Sequence, residues 1–234
     1  MGTWKKDIMK AVTFSYDDGV IQDFSLIGML NEYGLKGTFN LNSARFGCHN
    51  YFNYNGKNIC RYMVAPQDVA EIYKGHEVAS HTLNHPLLPN LNDEEIIREV
   101  ETDRLNLSNI VGYEVVGFAY PGGGVNFNRR VADIIRNNTG IKYCRTTRLT
   151  DSFDPQDDLY TFAPNLYSVD HDRLMELGRR FVEMKTDKPQ ILYVWGHSYE
   201  LDYDPHARAR FEEFLKLISG HDDIFYGTNK EVLL

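Results

Sequence analysis

AVTFSYDDGV, residues 11–20, is the stretch on which the fold turns. Its residues alternate as in a half-buried β-strand, and the run stops at two adjacent carboxylates, Asp17 and Asp18, before Gly19. Apolar residues at helical spacing follow over 21–33, closed by Gly34 as a C-cap. The same unit of strand, then helix, recurs along the chain. Strands are expected over 35–41, 76–80, 115–119, 141–145, 190–195 and 223–226, with helices over 67–73, 92–111, 128–139, 169–185 and 205–219. The longest helix starts at a capping-box pair, Asn92 with Glu95, and stops at Gly112.

Such alternation specifies one parallel sheet or barrel, and a barrel of 234 residues is expected to be a single domain, 1–234. Two stretches break the rhythm, 42–65 and the polar 146–165. In the first, Asn55-Gly56 between β-prone flanks predicts an inserted hairpin with a type I′ turn. With 42% hydrophobic and 25% charged residues, the composition is that of a globular protein, and no apolar run is long enough to cross a membrane. A net charge of -8 provides no cationic field for nucleic acid or an anionic membrane, so neither is expected as a partner. Cys48, Cys60 and Cys144 form no C-x-x-C pair, which argues against a disulfide framework or zinc ribbon. No apolar stretch of signal-peptide length precedes the first strand, so a cytoplasmic location is expected. The oligomeric state is left open.

Asp17 or Asp18 alone would be accounted for as the cap of the next helix. A second feature changes that reading. In HEVASHTLNHPLL, residues 76–88, His81 and His85 lie four apart directly after a strand, and one helical turn would put both imidazoles on one side. In a parallel barrel every strand opens its C-terminal end on the same face, so a carboxylate from the first strand and histidines from the third can converge on one ion. Three protein ligands leave positions for water and substrate, and the other aspartate is then free to act as a base. Metal affinity is expected to fall as the histidines protonate below about pH 6.5. Two more strand ends carry candidates. ILYVWGHSYEL, residues 191–201, places His197 after an apolar strand, and GFAYPGGGVN, residues 117–126, follows another with three glycines that let backbone amides approach a ligand. Either is also accounted for as an ordinary turn.

Taken together, the motifs resemble those of the polysaccharide deacetylases, the NodB-homology group classed as carbohydrate esterase family 4, over about residues 10–230. The family's T-F-D-D-G stands here as Ser15-Tyr16-Asp17-Asp18-Gly19, and its H-[ST]-x-x-H is intact as His81-Thr82-Leu83-Asn84-His85. The resemblance implies a distorted (β/α) barrel with fewer than eight complete repeats. It implies Asp17 as catalytic base, with Asp18, His81 and His85 holding one divalent metal, most often zinc; cobalt, nickel and iron suit the same ligands. The implied reaction removes acetyl groups from N- or O-acetylated saccharides: water activated at the metal gives its proton to Asp17, and His197 protonates the leaving group. The segment Tyr120, Pro121 and Gly122 would supply oxyanion and substrate contacts, Gly122 through its N–H.

The chain departs from the family pattern at three points. Ala119 stands where an arginine braces the base, and Gly122 where a tyrosine is usual. The aspartate-tryptophan motif is missing too, leaving Asp151, Asp154 or Asp170 as the partner for His197. Strand 141–145 ends at Arg145, which is expected either to reach Asp17 and replace the brace or to serve an unrelated ion pair. Tyr51, Phe52, Tyr54 and Tyr62 around the hairpin would stack on sugar rings or pack the hairpin onto the barrel. Two further functions fit the same residues: hydrolysis of a small non-sugar amide or ureide on this scaffold, and saccharide binding without turnover.

Overall fold

The computed structural model describes Trp4 and residues 8–234. Its elements run β1 (Lys10–Asp17), α1 (Gln22–Glu32), β2 (Gly37–Leu41), β3 (His49–Tyr54), β4 (Lys57–Tyr62), α2 (Val69–Ile72), β5 (Glu77–Ser80) and α3 (Asp93–Val111). They continue as β6 (Gly117–Ala119), α4 (Arg129–Asn138), β7 (Tyr143–Arg145), β8 (Leu166–Tyr167), α5 (His171–Glu183), β9 (Gln190–Gly196), α6 (Ala207–Ile218), β10 (Ile224–Tyr226) and α7 (Asn229–Leu233). One sheet has the order β7-β6-β5-β2-β1-β9-β8, with β10 also beside β1, and all its pairings are parallel. The sheet curls into a distorted (β/α) barrel. On one edge of β1, β10 pairs with Lys10 to Val12 and β2 with Phe14 to Asp17.

β1 is not half-buried, as its alternation suggested: all eight of its residues are buried. Val12, Phe14 and Tyr16 pack outward into the core beneath the helices, where Phe14 meets Phe211 of α6 edge-on at 6.5 Å. Between them, Thr13 enters a buried, hydrogen-bonded network. Thr13 Oγ1 donates to Asn229 Oδ1 (2.8 Å), the Asn229 N–H donates to Thr38 Oγ1 (2.8 Å), and Thr38 Oγ1 donates to Glu77 Oε2 (2.9 Å). Tyr143 completes the set by donating to Glu77 Oε1 (2.8 Å). The polar half of the alternation therefore marks satisfied buried groups and not a wet face.

The helix caps follow the sequence. Asn92 and Glu95 form the reciprocal capping box of α3, and Gly112 ends the helix at φ 76°. β8, with two residues, and α7, with five, are too short to show a period and were not foreseen.

β3 and β4 form the expected hairpin around Asn55 (φ 49°) and Gly56 (φ 82°), the paired left-handed conformations of a type I′ turn. Its aromatic residues divide between the two roles considered. Phe52 packs edge-on against Tyr199 (5.5 Å), Tyr54 stacks on Tyr203 (3.8 Å) while staying exposed on its other side, and Tyr51 and Tyr62 are exposed. Among the described residues no helix is long and apolar enough to cross a membrane.

Candidate active site

The chemistry-bearing residues gather at the C-terminal ends of the strands. β1 delivers Asp17 and Asp18, the latter at φ 80°. His81 follows β5 immediately, but the helical turn expected between His81 and His85 does not form. Thr82 (φ 69°) and His85 (φ 65°) are left-handed instead, and these kinks bring the two rings to 4.9 Å. Non-glycine residues in that region cost about 1–2 kcal/mol each, so the loop must be held from outside.

α3 holds it. The Asn84 N–H and Nδ2 donate to the two carboxylate oxygens of Glu99 (2.8 Å each). Asp103 accepts from Ser80 Oγ (2.6 Å) and the His81 N–H (3.3 Å) with one oxygen and from the Ser43 N–H (2.7 Å) with the other. Glu99 and Asp103 escaped the sequence reading because they look like ordinary acids in a long polar helix.

Asp18, His81 and His85 each offer a ligand atom within 4.8 Å of the other two. Asp18 Oδ1 is buried without a hydrogen-bond partner and lies 3.6 Å from His85 Nε2. His81 Nδ1 is 2.8 Å from the Ala119 carbonyl, to which it donates, leaving the Nε2 lone pair free to ligate a cation. Burial lowers the His81 pKa to about 4 and lowers that of His85, so both imidazoles are neutral at pH 7, the form that ligates. An orphaned carboxylate oxygen facing two neutral imidazoles fits a divalent cation.

Asp17 has a different environment. Its Oδ1 accepts from Asn40 Nδ2 (2.8 Å), and Arg145 Nη2 lies 2.5 Å from both oxygens. Arg145 is fully buried, with its guanidinium 4.7 Å over the Trp195 ring. Ala119 and Arg145 are register partners in β6 and β7, so the cation absent at Ala119 is supplied from the next strand. Burial alone would raise the Asp17 pKa, but the charges of Arg145, His81 and His197 outweigh it and hold the carboxyl below its ordinary value.

His197 pairs with none of the three aspartates expected. Asp151 pairs with Arg173, Asp154 accepts from Ser152 and Gln190, and Asp170 caps α5. The partner is Glu200: its Oε1 lies 2.8 Å from His197 Nδ1, and its Oε2 accepts the His197 N–H (2.9 Å). The spacing His197-x-x-Glu200 was a usable signal that a search for an aspartate passed over. Burial would lower the His197 pKa, yet Glu200, with Asp18 and Asp17, raises it to about 9.

Of Tyr120, Pro121 and Gly122, only Gly122 lines the cavity. The Tyr120 ring lies in a core cluster, its hydroxyl donates to the Tyr160 carbonyl (2.9 Å), and its N–H donates to the Arg145 carbonyl (3.0 Å). Gly122 adopts φ 78°, and a Cβ there would sit 2.7 Å from Leu87. Its N–H donates to no group among the described residues. A cavity of about 420 Å³ joins Asp17, Asp18, His81, His85, Gly122 and His197, with Tyr167, Trp195 and Tyr199 as an aromatic wall that the sequence did not reveal.

Residues 5–143 match the family model for polysaccharide deacetylase. No curated protein matches the chain. Among solved structures, a protein from Mycobacterium smegmatis classed among the polysaccharide deacetylases is similar at TM-score 0.66 and 16% identity, over 99% of this chain and 91% of that one. The Xyl-CE4 domain of a multidomain xylanase from the hindgut metagenome of Trinervitermes trinervoides is similar at TM-score 0.58 and 19% identity, over 95% and 89%. The Streptococcus pyogenes deacetylase PplD matches at TM-score 0.47 and 20% identity over 58% of this chain, which spans only 55% of that one. At such identities the likeness to the first two is one of fold.

Proposed function

Because the chain belongs to the polysaccharide deacetylase family, we propose that it is a metal-dependent hydrolase removing acetyl groups from N- or O-acetylated saccharides. One observation carries this reading: a buried carboxylate held ionised by Arg145 and an imidazolium held by Glu200 share a cavity with the Asp18, His81 and His85 cluster. A binding module needs neither a base nor an acid. When bound, a divalent ion, zinc in our reading, supplies Lewis acidity toward the acyl carbonyl.

The chain's own groups account for the proton movements. Asp17 takes a proton from the attacking water as the new C–O bond forms, and the Gly122 N–H donates to the oxyanion. His197, with Nδ1–H directed to Glu200, gives its Nε2 proton to the departing nitrogen or oxygen as the acyl bond breaks. We read residues 1–234 as one catalytic domain carrying the hairpin as an insertion. Cys48, Cys60 and Cys144 are free thiols, and on that ground we place the protein in a reducing compartment such as the cytoplasm.

Acetate release from a panel of N- and O-acetylated mono- and oligosaccharides, measured alongside metal content, tests the reading. Acetate from a saccharide supports it. Turnover restricted to non-sugar amides or ureides, or sugar binding without any release, overturns it.

The state of His197 has its own signature. It acts as an acid only while protonated, so kcat/KM should fall as pH rises through about 9. The raised value also means that its protonation stabilises the fold in full below about pH 6.5, and that this contribution disappears as pH rises through the folded value. Glu200→Gln is expected to move the basic limb downward by about one unit or more, since Glu200 is the largest influence opposing burial. A limb unmoved in that variant belongs to another group.

A further inference from the structure

The reaction proposed above has no use for Arg61, yet the hairpin carries this cation into the cavity. Its Nε donates to Asn50 Oδ1 (2.9 Å), and its guanidinium carbon lies 5.1 Å from the Phe52 ring centre and 5.5 Å from that of Tyr199. A long side chain is thus fixed in advance by its own hairpin and by the aromatic wall, which removes much of the entropy cost of using it in binding. Nη1 makes a long contact to Asp18 Oδ2 (3.3 Å), and Nη2 has no partner among the described residues. The side chain is 23% exposed.

Charge pairing in the cavity leaves Arg61 in an unusual position. Asp17 is matched by Arg145 and Glu200 by His197, so Asp18 is the only carboxylate left for Arg61. Asp18 is also the carboxylate of the metal cluster. Once a divalent cation shares that carboxylate, Arg61 faces a positive centre and its own charge is unmatched, in a protein whose net charge is -8. A pre-organised guanidinium with spare N–H groups beside such a centre is suited to an anion.

We propose that Arg61 binds an anionic substituent, a carboxylate or phosphate, on the saccharide that carries the acetyl group, so that the substrate class is an acidic acetylated saccharide. The proposal rests on the deacetylase reading for the word acetylated, but the charge preference is separable from turnover. Calorimetry of zinc-loaded protein with glucosamine, muramic acid and glucosamine 6-phosphate uses deacetylated sugars, on which no acetyl hydrolysis can intervene. At least one acidic sugar is expected to bind roughly tenfold or more tighter than glucosamine, the value of one charge-assisted hydrogen bond, and the two acids tell carboxylate from phosphate.

Arg61→Gln should bring the acidic sugars within about twofold of glucosamine, and Arg61→Lys should retain part of the preference because it keeps charge without the planar fork. Zinc stoichiometry should stay at wild-type level in both. Equal affinities in wild type, or a preference that survives Arg61→Gln, overturns the proposal. Loss of zinc from Arg61→Gln also overturns it, by showing that the residue holds the Asp18 carboxylate. Acetate release from acetylated congeners is scored separately: release without charge preference retains the deacetylase and rejects the anion site, and the reverse outcome does the opposite.

Discussion

His81→Ala protein is expected to contain almost no metal and to release almost no acetate. His81 is one of the three candidate ligands among the described residues, and it is the one locked from behind, with Nδ1 on the Ala119 carbonyl and its own N–H on Asp103. Neither other imidazole of the cavity is free to replace it, because His85 already belongs to the cluster and His197 is held by Glu200. Elemental analysis decides the matter: full occupancy in His81→Ala removes the site. The pH at which wild type sheds its metal is a related readout. An ordinary histidine would set that loss near pH 6.5, but burial lowers the pKa of both His81 and His85. Retention should therefore persist below pH 6.5. The same shift has a stability consequence, since an imidazole kept neutral in the fold and protonated in the unfolded chain costs stability as pH falls from about 6.5 through the folded value.

Asp17→Asn should behave in the opposite way, keeping its metal while losing turnover by roughly a hundredfold to ten-thousandfold, the usual range for a general base. The two neighbours can be told apart because both Asp17 oxygens are occupied by donors from Arg145 and Asn40, whereas Asp18 leaves Oδ1 open toward His85. Losing the metal in Asp17→Asn would reverse the two assignments. The substitution also strands the buried Arg145 charge, at a cost of about 3–5 kcal/mol for a broken buried pair, so activity must be compared well below the melting point of the variant.

Arg145→Met tests the same pair from the other side. Without the guanidinium, burial raises the Asp17 pKa, and the acidic limb of kcat/KM should move upward. Adding Ala119→Arg to Arg145→Met should move it partly back, because positions 119 and 145 are register partners on adjacent strands. An acidic limb that stays in place in Arg145→Met means that Arg145 does not set the state of the base.

Much of this molecule can be read from its sequence. The alternation of strand and helix specified a parallel barrel, and capping pairs such as Asn92 with Glu95 marked its helix ends. Asn55-Gly56 called for the left-handed turn of the hairpin. These features are local: periodicity and cap chemistry act over a few residues, and the backbone responds where they occur. The aspartate pair and the H-x-x-x-H spacing were visible for the same reason, although the loop between the histidines proved to be kinked and not helical. The reach of Arg145 to Asp17 could be expected from strand ends sharing a face, but its distance depends on register and curl, which no short window of sequence encodes.

Other features only the tertiary structure decided. Glu200 is near His197 in the chain, but its carboxylate could have turned to solvent; burial against Tyr167 and Ser168 is what turned it to the ring. Glu99 and Asp103 became supports of the histidine loop because α3 packs against the end of β5. Arg61 entered the cavity because Phe52 anchors the hairpin on Tyr199 and Tyr203. A polar residue carries no sign in sequence of whether it will meet water or a buried partner. The polar half of β1, read as a wet face and found inside a closed hydrogen-bonded network, shows the reason: that choice is made by whatever chain packs opposite.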